Sequence, residues 1–499
     1  MRVYYQLTMQ RLMGAILFIL LFTMAVRVPT DTDTWWHLRS GQVMVKEHTI
    51  LRHDLFSHTR QGEAWINHSW GAQVILYGVY ELFGGGAQPG ATGNIGLSLF
   101  TAALATAGMG LVYAMCAGNV YVRAFAVVLG AATAAVFWAP RPQMFSFVLA
   151  AGVLYLLYLY KRRHIDRLWL IPVLVVVWVN LHGGFAMAFL LLLGTLAGEA
   201  LGNLAGDRRS EVMHGARLRK LATVTAVSVP AVAINPYGIR MLAYPFETVS
   251  IGALQDFIQE WAAPDFHLPQ TWPFLAMLLA LLAVLATSKE RTDWMDLVLV
   301  IATAGMALMA GRNIALFAVV ATPVLSRQAD AWLTERGWQL RPRRTVSRGM
   351  LFANWALLAL VAVGALAKIA TTLSERTLRQ TQEEFFPVQL ADYLQQTSPA
   401  GRLFNSYNWG GYLIFAAPGV PVFVDGRTDL YGDDLLERYL EVILLRDGWQ
   451  QTLDEYEIDL IAIESDSTLA GALRLLPDRW HELRFDEGRS ALFVRQAGG

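Results

Sequence analysis

About eleven apolar stretches divide the chain, at roughly 9–28, 94–115, 122–138, 143–160, 168–181, 185–203, 219–234, 272–288, 294–310, 313–326 and 350–371. A helix that crosses a bilayer needs about 20 consecutive apolar residues, somewhat fewer at the short end. This pattern leaves one broad fold class open, a polytopic α-helical membrane protein. The composition agrees. Of 499 residues, 55% are hydrophobic and only 16% are charged, against about 25% charged in soluble domains. The formal charge is zero, which gives no reason to expect a nucleic-acid partner. The single cysteine, Cys116, excludes an intrachain disulfide. The first apolar stretch follows basic residues, but it is long and lacks a small-x-small cleavage site, so a retained first span is expected.

Lys and Arg collect in alternate loops, "KRRHIDR" (161–167), "GDRRSEVMHGARLRK" (206–220), "SKERTD" (288–293) and "SRQADAWLTERGWQLRPRRTVSRG" (326–349). The positive-inside rule puts these loops, and the N-terminus with them, on the cytoplasmic side. The opposite side then receives residues 29–93, "APRPQ" (139–143), a break at His182, the loop 235–271, "GRN" (311–313) and everything after about 371. Every unusual polar motif falls on that side: "DTDTWWH", "NHSW", "APRPQ", "NLHGGF", "NPYG" and "GRN". Polar groups at span ends are costly unless they face a cavity or a partner. Six of them on one face imply a single polar cavity, and the breaks at His182 and Arg312 suit bent or re-entrant segments.

Residues 1–375 therefore read as a transmembrane domain whose first outer loop, 29–93, carries two surface helices, with Trp35 and Trp36 anchoring it at headgroup level. Gly62 is placed to close a hairpin between them. Residues 376–499 alternate short apolar strands with amphipathic helices and read as a small extracytoplasmic α/β domain.

Within the first loop, Asp31 and Asp33 lie two residues apart. In a turn they can converge on a divalent cation such as Mg or Mn, with His37 nearby. Alternatively, one acts as general base on an acceptor hydroxyl. The plain alternative is N-capping of the following helix. His68, flanked by Asn67 and Trp70, can orient a carboxylate or meet phosphate, or simply pack. Arg141, Arg312 and Arg240 stand at outer span ends and suit a phosphate or lipid headgroups. His182 with Gly183 and Gly184 exposes backbone amides, and Asn180 and Tyr237 stand in neighbouring motifs. In the tail, Trp409, Asp425 and Arg427 either roof a substrate cleft or form turns. No P-loop, HExxH, CxxC or GxSxG occurs.

One span, an early acidic loop, two surface helices, many further spans and an outer soluble tail resemble the GT-C glycosyltransferases, which include protein O-mannosyltransferases, aminoarabinose transferases and oligosaccharyltransferases. The wording "DTDTWWHLRSGQ…NHSWGAQ" with "NWGGYL…VFVDGRTDLYG" is similar to a bacterial family of such membrane proteins. The resemblance implies transfer of a sugar from a polyprenyl-phosphate carrier, outside the bacterial inner membrane, to a lipid, glycan or protein. It places Asp33 or Asp31 as base or metal ligand, and Arg141 and Arg312 on the donor phosphate. The mannosyltransferases have Asp-Glu where this chain has Asp-Thr-Asp. A non-catalytic scaffold or a carrier of lipid-linked intermediates is the rival, and it would tolerate Asp31→Asn and Asp33→Asn.

Overall fold

The computed structural model describes residues 7–86, 89–207, 212–249, 252, 260–338 and 347–496. Arg208, Arg209, Arg341, Arg343 and Arg344, which the orientation argument used, lie outside them. Each expected apolar stretch coincides with a helix: α1 (Met9–Ala25), α4 (Ala91–Met115), α5 (Val120–Ala134), α6 (Gln143–Arg162), α7 (Leu170–Leu181), α8 (Ala186–Leu204), α9 (Gly215–Ala231), α11 (Trp272–Thr287), α12 (Trp294–Met309), α13 (Ile314–Glu335) and α14 (Arg348–Thr372). Between them lie α2 (Thr34–Glu47) and α3 (Trp70–Leu82) in the first loop and α10 (Tyr244–Val249) in the later one.

Among the described residues, seven helical segments are long and apolar enough to cross a membrane, and α1, α7 and α12 are shorter apolar helices. Helix starts follow capping chemistry. The Asn119 carboxamide accepts from the amides of Tyr121 and Val122, and Asp293 accepts from that of Met295. Helix α13 is buried on nearly all sides against α5, α11 and α12, whereas α14 packs along α1 and leaves most of its apolar surface outward. Such a face suits lipid.

Two junctions at one end of the bundle are built alike. After α7, His182 is extended (φ −164°, ψ 144°) and the chain makes a 3-10 turn, Gly183–Phe185, before α8. After α12, Ala310 is extended (φ −149°, ψ 126°) and a 3-10 turn, Gly311–Asn313, precedes α13. These are the breaks expected at His182 and Arg312. The second is stitched to the long loop by Gly311 N–H to Ala262 O (2.9 Å) and Arg312 N–H to Glu260 O (3.0 Å).

The C-terminal segment starts with α15 (Glu375–Phe385) and α16 (Val388–Thr397), followed by β1 (Arg402–Asn405), α17 (Tyr407–Ala416), α18 (Thr428–Ile443), α19 (Trp449–Glu455), β2 (Ile458–Glu464), α20 (Thr468–Arg474), β3 (Trp480–Phe485) and β4 (Ser490–Arg495). The strands form one sheet in the order β1-β2-β4-β3, with β1 parallel to β2 and the other pairs antiparallel. Buried Leu460, Ile461, Ala462 and Ile463 run along the central β2. A strand covered on both faces reads as a continuous apolar run, not an alternating one.

Trp35 and Trp36 are buried within the protein and so do not reach headgroups as anchors. Helix α2 sits between α3 and α17. Trp35 is fully buried, edge-on to Phe386 (5.5 Å) and Tyr412 (5.2 Å). One hydrophobic core thus runs from Trp35, Trp36 and Leu38 into Leu390, Tyr412, Leu413 and Phe415 of the C-terminal segment. Gly62 (φ 78°) closes the expected hairpin, in which His53 pairs with Ala64.

Candidate active site

Asp33 immediately precedes α2, yet its side chain makes no capping bond. Instead, its Oδ2 lies 2.8 Å from Arg141 Nη2, and its Oδ1 accepts from Trp36 Nε1 (3.1 Å). Asp31 Oδ1 accepts from the Asp33 amide (3.0 Å), and Oδ2 accepts from Arg141 Nη1 (3.2 Å). The turn has therefore brought the two carboxylates onto one guanidinium. Glu260, from the long loop, also meets Arg141 Nη1, at 2.6 Å. Arg141 is held between Pro140 and Pro142 at the start of α6, and the Thr34 hydroxyl ties that turn to α2 through Pro140 O (3.4 Å).

One guanidinium cannot neutralise three carboxylates. Burial raises both Asp31 and Asp33, and Asp33 is pushed up to about 7. For Asp33, burial outweighs the opposing pull of Arg141, and the charges of Asp31 and Glu260 add to the rise. Arg141 keeps Glu260 below the usual carboxylate range.

These groups line one wall of a cavity of about 700 Å³ at the end of the bundle that carries the C-terminal segment. Residues from other segments complete the lining. Tyr244 of α10 hydrogen-bonds His68 Nδ1 (2.5 Å) and Asp429 Oδ2 (3.3 Å) through its hydroxyl. Burial keeps His68 below its ordinary value, against the pull of Asp429. The His182 ring lies 5.9 Å from that of His68. Arg312 stacks over Trp261 at 4.1 Å and, among the described residues, ion-pairs with no carboxylate. An apolar flank is supplied by Ala186, Met187 and Leu190 of α8, Val249 of α10 and Met306 of α12.

Of the residues singled out from sequence, Asp31, Asp33, His37, His68, Arg141, His182 and Arg312 share this cavity. Others stand behind it as braces. Asn67 donates to Gln73 Oε1 (2.7 Å), and the Tyr237 hydroxyl accepts from the Asn67 amide (2.9 Å). Trp70 Nε1 donates to Asn180 Oδ1 (3.1 Å), tying α3 to α7. Arg240 is exposed, away from the cavity.

Trp409, Asp425 and Arg427 do not line the cavity either. Trp409 is in the shared core. Arg427 is fully buried, with Nη1 on Asp54 (2.6 Å) and Nη2 and Nε on Asp425 (2.6 and 2.8 Å). This clamp fastens the C-terminal segment to the first loop. Between Asp425 and Arg427, Gly426 faces the site so closely that a Cβ there would stand 1.8 Å from Asp33 Oδ1. Gly411 meets the Thr32 carbonyl in the same way, at 2.5 Å.

Glu260, Tyr244 and Asp429 were not anticipated, nor were Tyr407 and Asn408. Tyr407 and Asn408 carried a signal through "NSYNWGGYL" (405–413) and Asp429 through "VDGRTDLYG" (424–432), whereas Glu260 and Tyr244 carried none. As for a cation, Asp31 and Asp33 turn their oxygens to Arg141, and among the described residues no three His, Cys, Asp or Glu groups gather where a metal would be held.

No known protein-family signature matches the sequence, and no curated protein matches it. Solved structures do match. The oligosaccharyltransferase AglB from Archaeoglobus fulgidus, in complex with an inhibitory peptide and a dolichol-phosphate, aligns at 12% identity and a TM-score of 0.55, over 97% of this chain and 74% of that one. The Archaeoglobus fulgidus oligosaccharyltransferase in the apo form aligns at 11% identity with a TM-score of 0.54, over the same shares. ArnT from Cupriavidus metallidurans bound to undecaprenyl phosphate overlaps at 15% identity and a TM-score of 0.48, over 98% of each chain. The fold and the cavity thus define a polytopic membrane protein. Its fold is that of the two Archaeoglobus fulgidus oligosaccharyltransferase structures.

Proposed function

We propose that the protein is a glycosyltransferase moving a sugar from a polyprenyl-phosphate carrier to a lipid, glycan or protein acceptor. The single observation that carries this reading is the cavity's division of labour. A carboxyl pushed up to about 7, Asp33, shares the cavity with the guanidinium of Arg312, which ion-pairs with no carboxylate among the described residues, and with the His182 ring, beside an apolar flank. The flank suits a polyprenyl chain, the guanidinium its phosphate, and the carboxylate an acceptor hydroxyl. The fold shared with AglB supports the reading.

In the displacement, the acceptor oxygen gives its proton to Asp33 and bonds to the anomeric carbon. The bond from that carbon to the phosphate oxygen breaks, and its electron pair leaves on the phosphate. Arg312 stabilises the charge that develops there. Arg141 has a different role from the one first expected of it. Three carboxylates occupy it, so it orients Asp31 and Asp33 and leaves the phosphate to Arg312. The site opens on the extracytoplasmic face of the inner membrane, given the Lys/Arg distribution.

The test is transfer from a radiolabelled polyprenyl-phosphate sugar by membranes containing the protein. Asp33→Asn is expected to lower the rate by about 10²–10⁴-fold, the usual contribution of a general base. Full activity of both Asp33→Asn and Asp31→Asn removes the proposed base, whereas no transfer by the wild-type protein leaves the scaffold reading standing.

A further inference from the structure

Two cations meet at the root of the acidic turn, and neither lines the cavity. Lys368, near the end of α14, donates through Nζ to Thr23 O (2.7 Å) and Val26 O (2.5 Å), carbonyls at the end of α1. Arg27, the next residue along, donates through Nη1 to Ala135 O (2.9 Å), where α5 ends. Its own carbonyl accepts from Ser98 Oγ of α4 (2.6 Å). Asp31 follows Arg27 in the same short connection, "RVPTD". Each contact taken alone is a helix C-cap made by a basic side chain.

Taken together, the two caps bring more charge than the helix ends need. A helix C-terminus carries about half an elementary negative charge, so two of them offset about one of the two positive charges. Among the described residues, neither cation ion-pairs with a carboxylate. About one positive charge is left over, and donors remain to present it, because an ammonium has three N–H groups and a guanidinium five. The surroundings narrow the ligand further. Leu20 on α1 and Val363 and Leu366 on α14 lie deeper in the bundle along the same two helices, and all three are exposed. Helix α14 turns most of its apolar surface outward. A ligand at these cations meets a single positive charge above a surface suited to acyl chains.

We infer that Arg27 and Lys368 bind the phosphodiester of an anionic diacyl phospholipid whose chains lie along α1 and α14. A headgroup with one net negative charge, such as phosphatidylglycerol, matches the charge left over. A zwitterionic headgroup, such as phosphatidylethanolamine, brings its own ammonium toward two cations. The site lies apart from the cavity, so it stands or falls independently of the glycosyltransferase reading. Its place at the root of the acidic turn makes the bound lipid a brace for the connection that carries Asp31 and Asp33.

The experiment is native mass spectrometry of the full chain in detergent, titrated with dioleoylphosphatidylglycerol and, separately, with dioleoylphosphatidylethanolamine. One Lys or Arg facing an anionic lipid is worth about fivefold in affinity, so the first phosphatidylglycerol is expected to bind about tenfold or more tightly than the first phosphatidylethanolamine. Arg27→Gln should lose about fivefold of that preference, whereas Arg27→Lys, which keeps the charge, should stay within about twofold of wild type. Arg167, exposed before α7 at the opposite end of the bundle, is the control, and Arg167→Gln should change nothing. Equal binding of the two lipids overturns the inference. So does a loss in Arg167→Gln as large as that in Arg27→Gln, because the preference then belongs to surface charge at large. Release of bound phosphatidylglycerol by millimolar inorganic phosphate assigns the cations to free phosphate and also overturns it. Lys368→Met removes the cap on α1 together with the charge. If that variant does not fold, the Arg27 pair of variants decides alone.

Discussion

Asp33 is a carboxyl whose environment opposes its ionisation, and this has two consequences of opposite sign. As a base it works only when deprotonated. With its value near 7, kcat/KM is expected to fall about tenfold for each pH unit below that point, as for any single essential base. For stability, the folded value lies above the ordinary aspartate value of 3.8, so between these two values the native state binds the extra proton. Its contribution is complete below about 4 and is lost as pH rises through about 7. Asp33→Asn should therefore unfold at an equal or higher temperature than wild type at pH 8 while losing activity. A lower melting temperature there would mean that the Arg141 pair outweighs the burial. Arg141→Met removes the group that most favours the charged form, so the acid limb of the rate profile should move upward. A limb that stays in place assigns it to another group.

At the scale of elements, the motifs "NWGGYL" and "VDGRTD" are docking surfaces that bring α17 and the start of α18 onto the acidic turn. Read as sequence, Asp425, Arg427 and Trp409 have the chemistry of a sugar cleft. Only the fold reveals that Asp54, nearly 400 residues upstream, occupies the other side of Arg427. Removing one partner of such a buried pair typically costs about 3–5 kcal/mol. Arg427→Met should therefore lower the thermal midpoint sharply, and a shift no larger than that of a surface substitution would deny the clamp any structural weight. Gly426→Ala is the finer probe. Its Cβ would collide with the Asp33 carboxylate, so activity should drop about as far as in Asp33→Asn, while the fold, assessed by limited proteolysis, survives. Legibility follows the same division. Asp31, Arg141, His182 and Arg312 were readable because each interrupts or ends an apolar run, where a polar group needs a reason. Glu260 and Tyr244 lie inside the long loop and end no apolar run, and only convergence in space marks them.

For the whole molecule, the division into a membrane part and a soluble tail, plain in composition, does not describe the packing. The first loop belongs to both. Trp35 is fully buried among residues of the C-terminal segment, while Trp70 and Tyr237 tie the loop to the bundle. The acidic turn is thus clamped between two bodies, which fixes Asp31 and Asp33 without regular structure of their own. The charged groups at the other end of the bundle, Lys161 with Asp293 (2.9 Å) and Arg162 with Asp296 (2.9 Å), join the end of α6 to the start of α12. The site end and the anchoring end are therefore separate constructions. Trp35→Ala tests this arrangement. Truncating a buried tryptophan costs about 3–5 kcal/mol, and the loss should be local, because the bundle core does not include Trp35. Hydrogen exchange should show α2 and α17 losing protection together, with α5 and α13 unchanged, and transfer activity should fall with them. If α2 loosens while α17 keeps its protection, the loop and the C-terminal segment fold independently, and the acidic turn is held by the bundle alone.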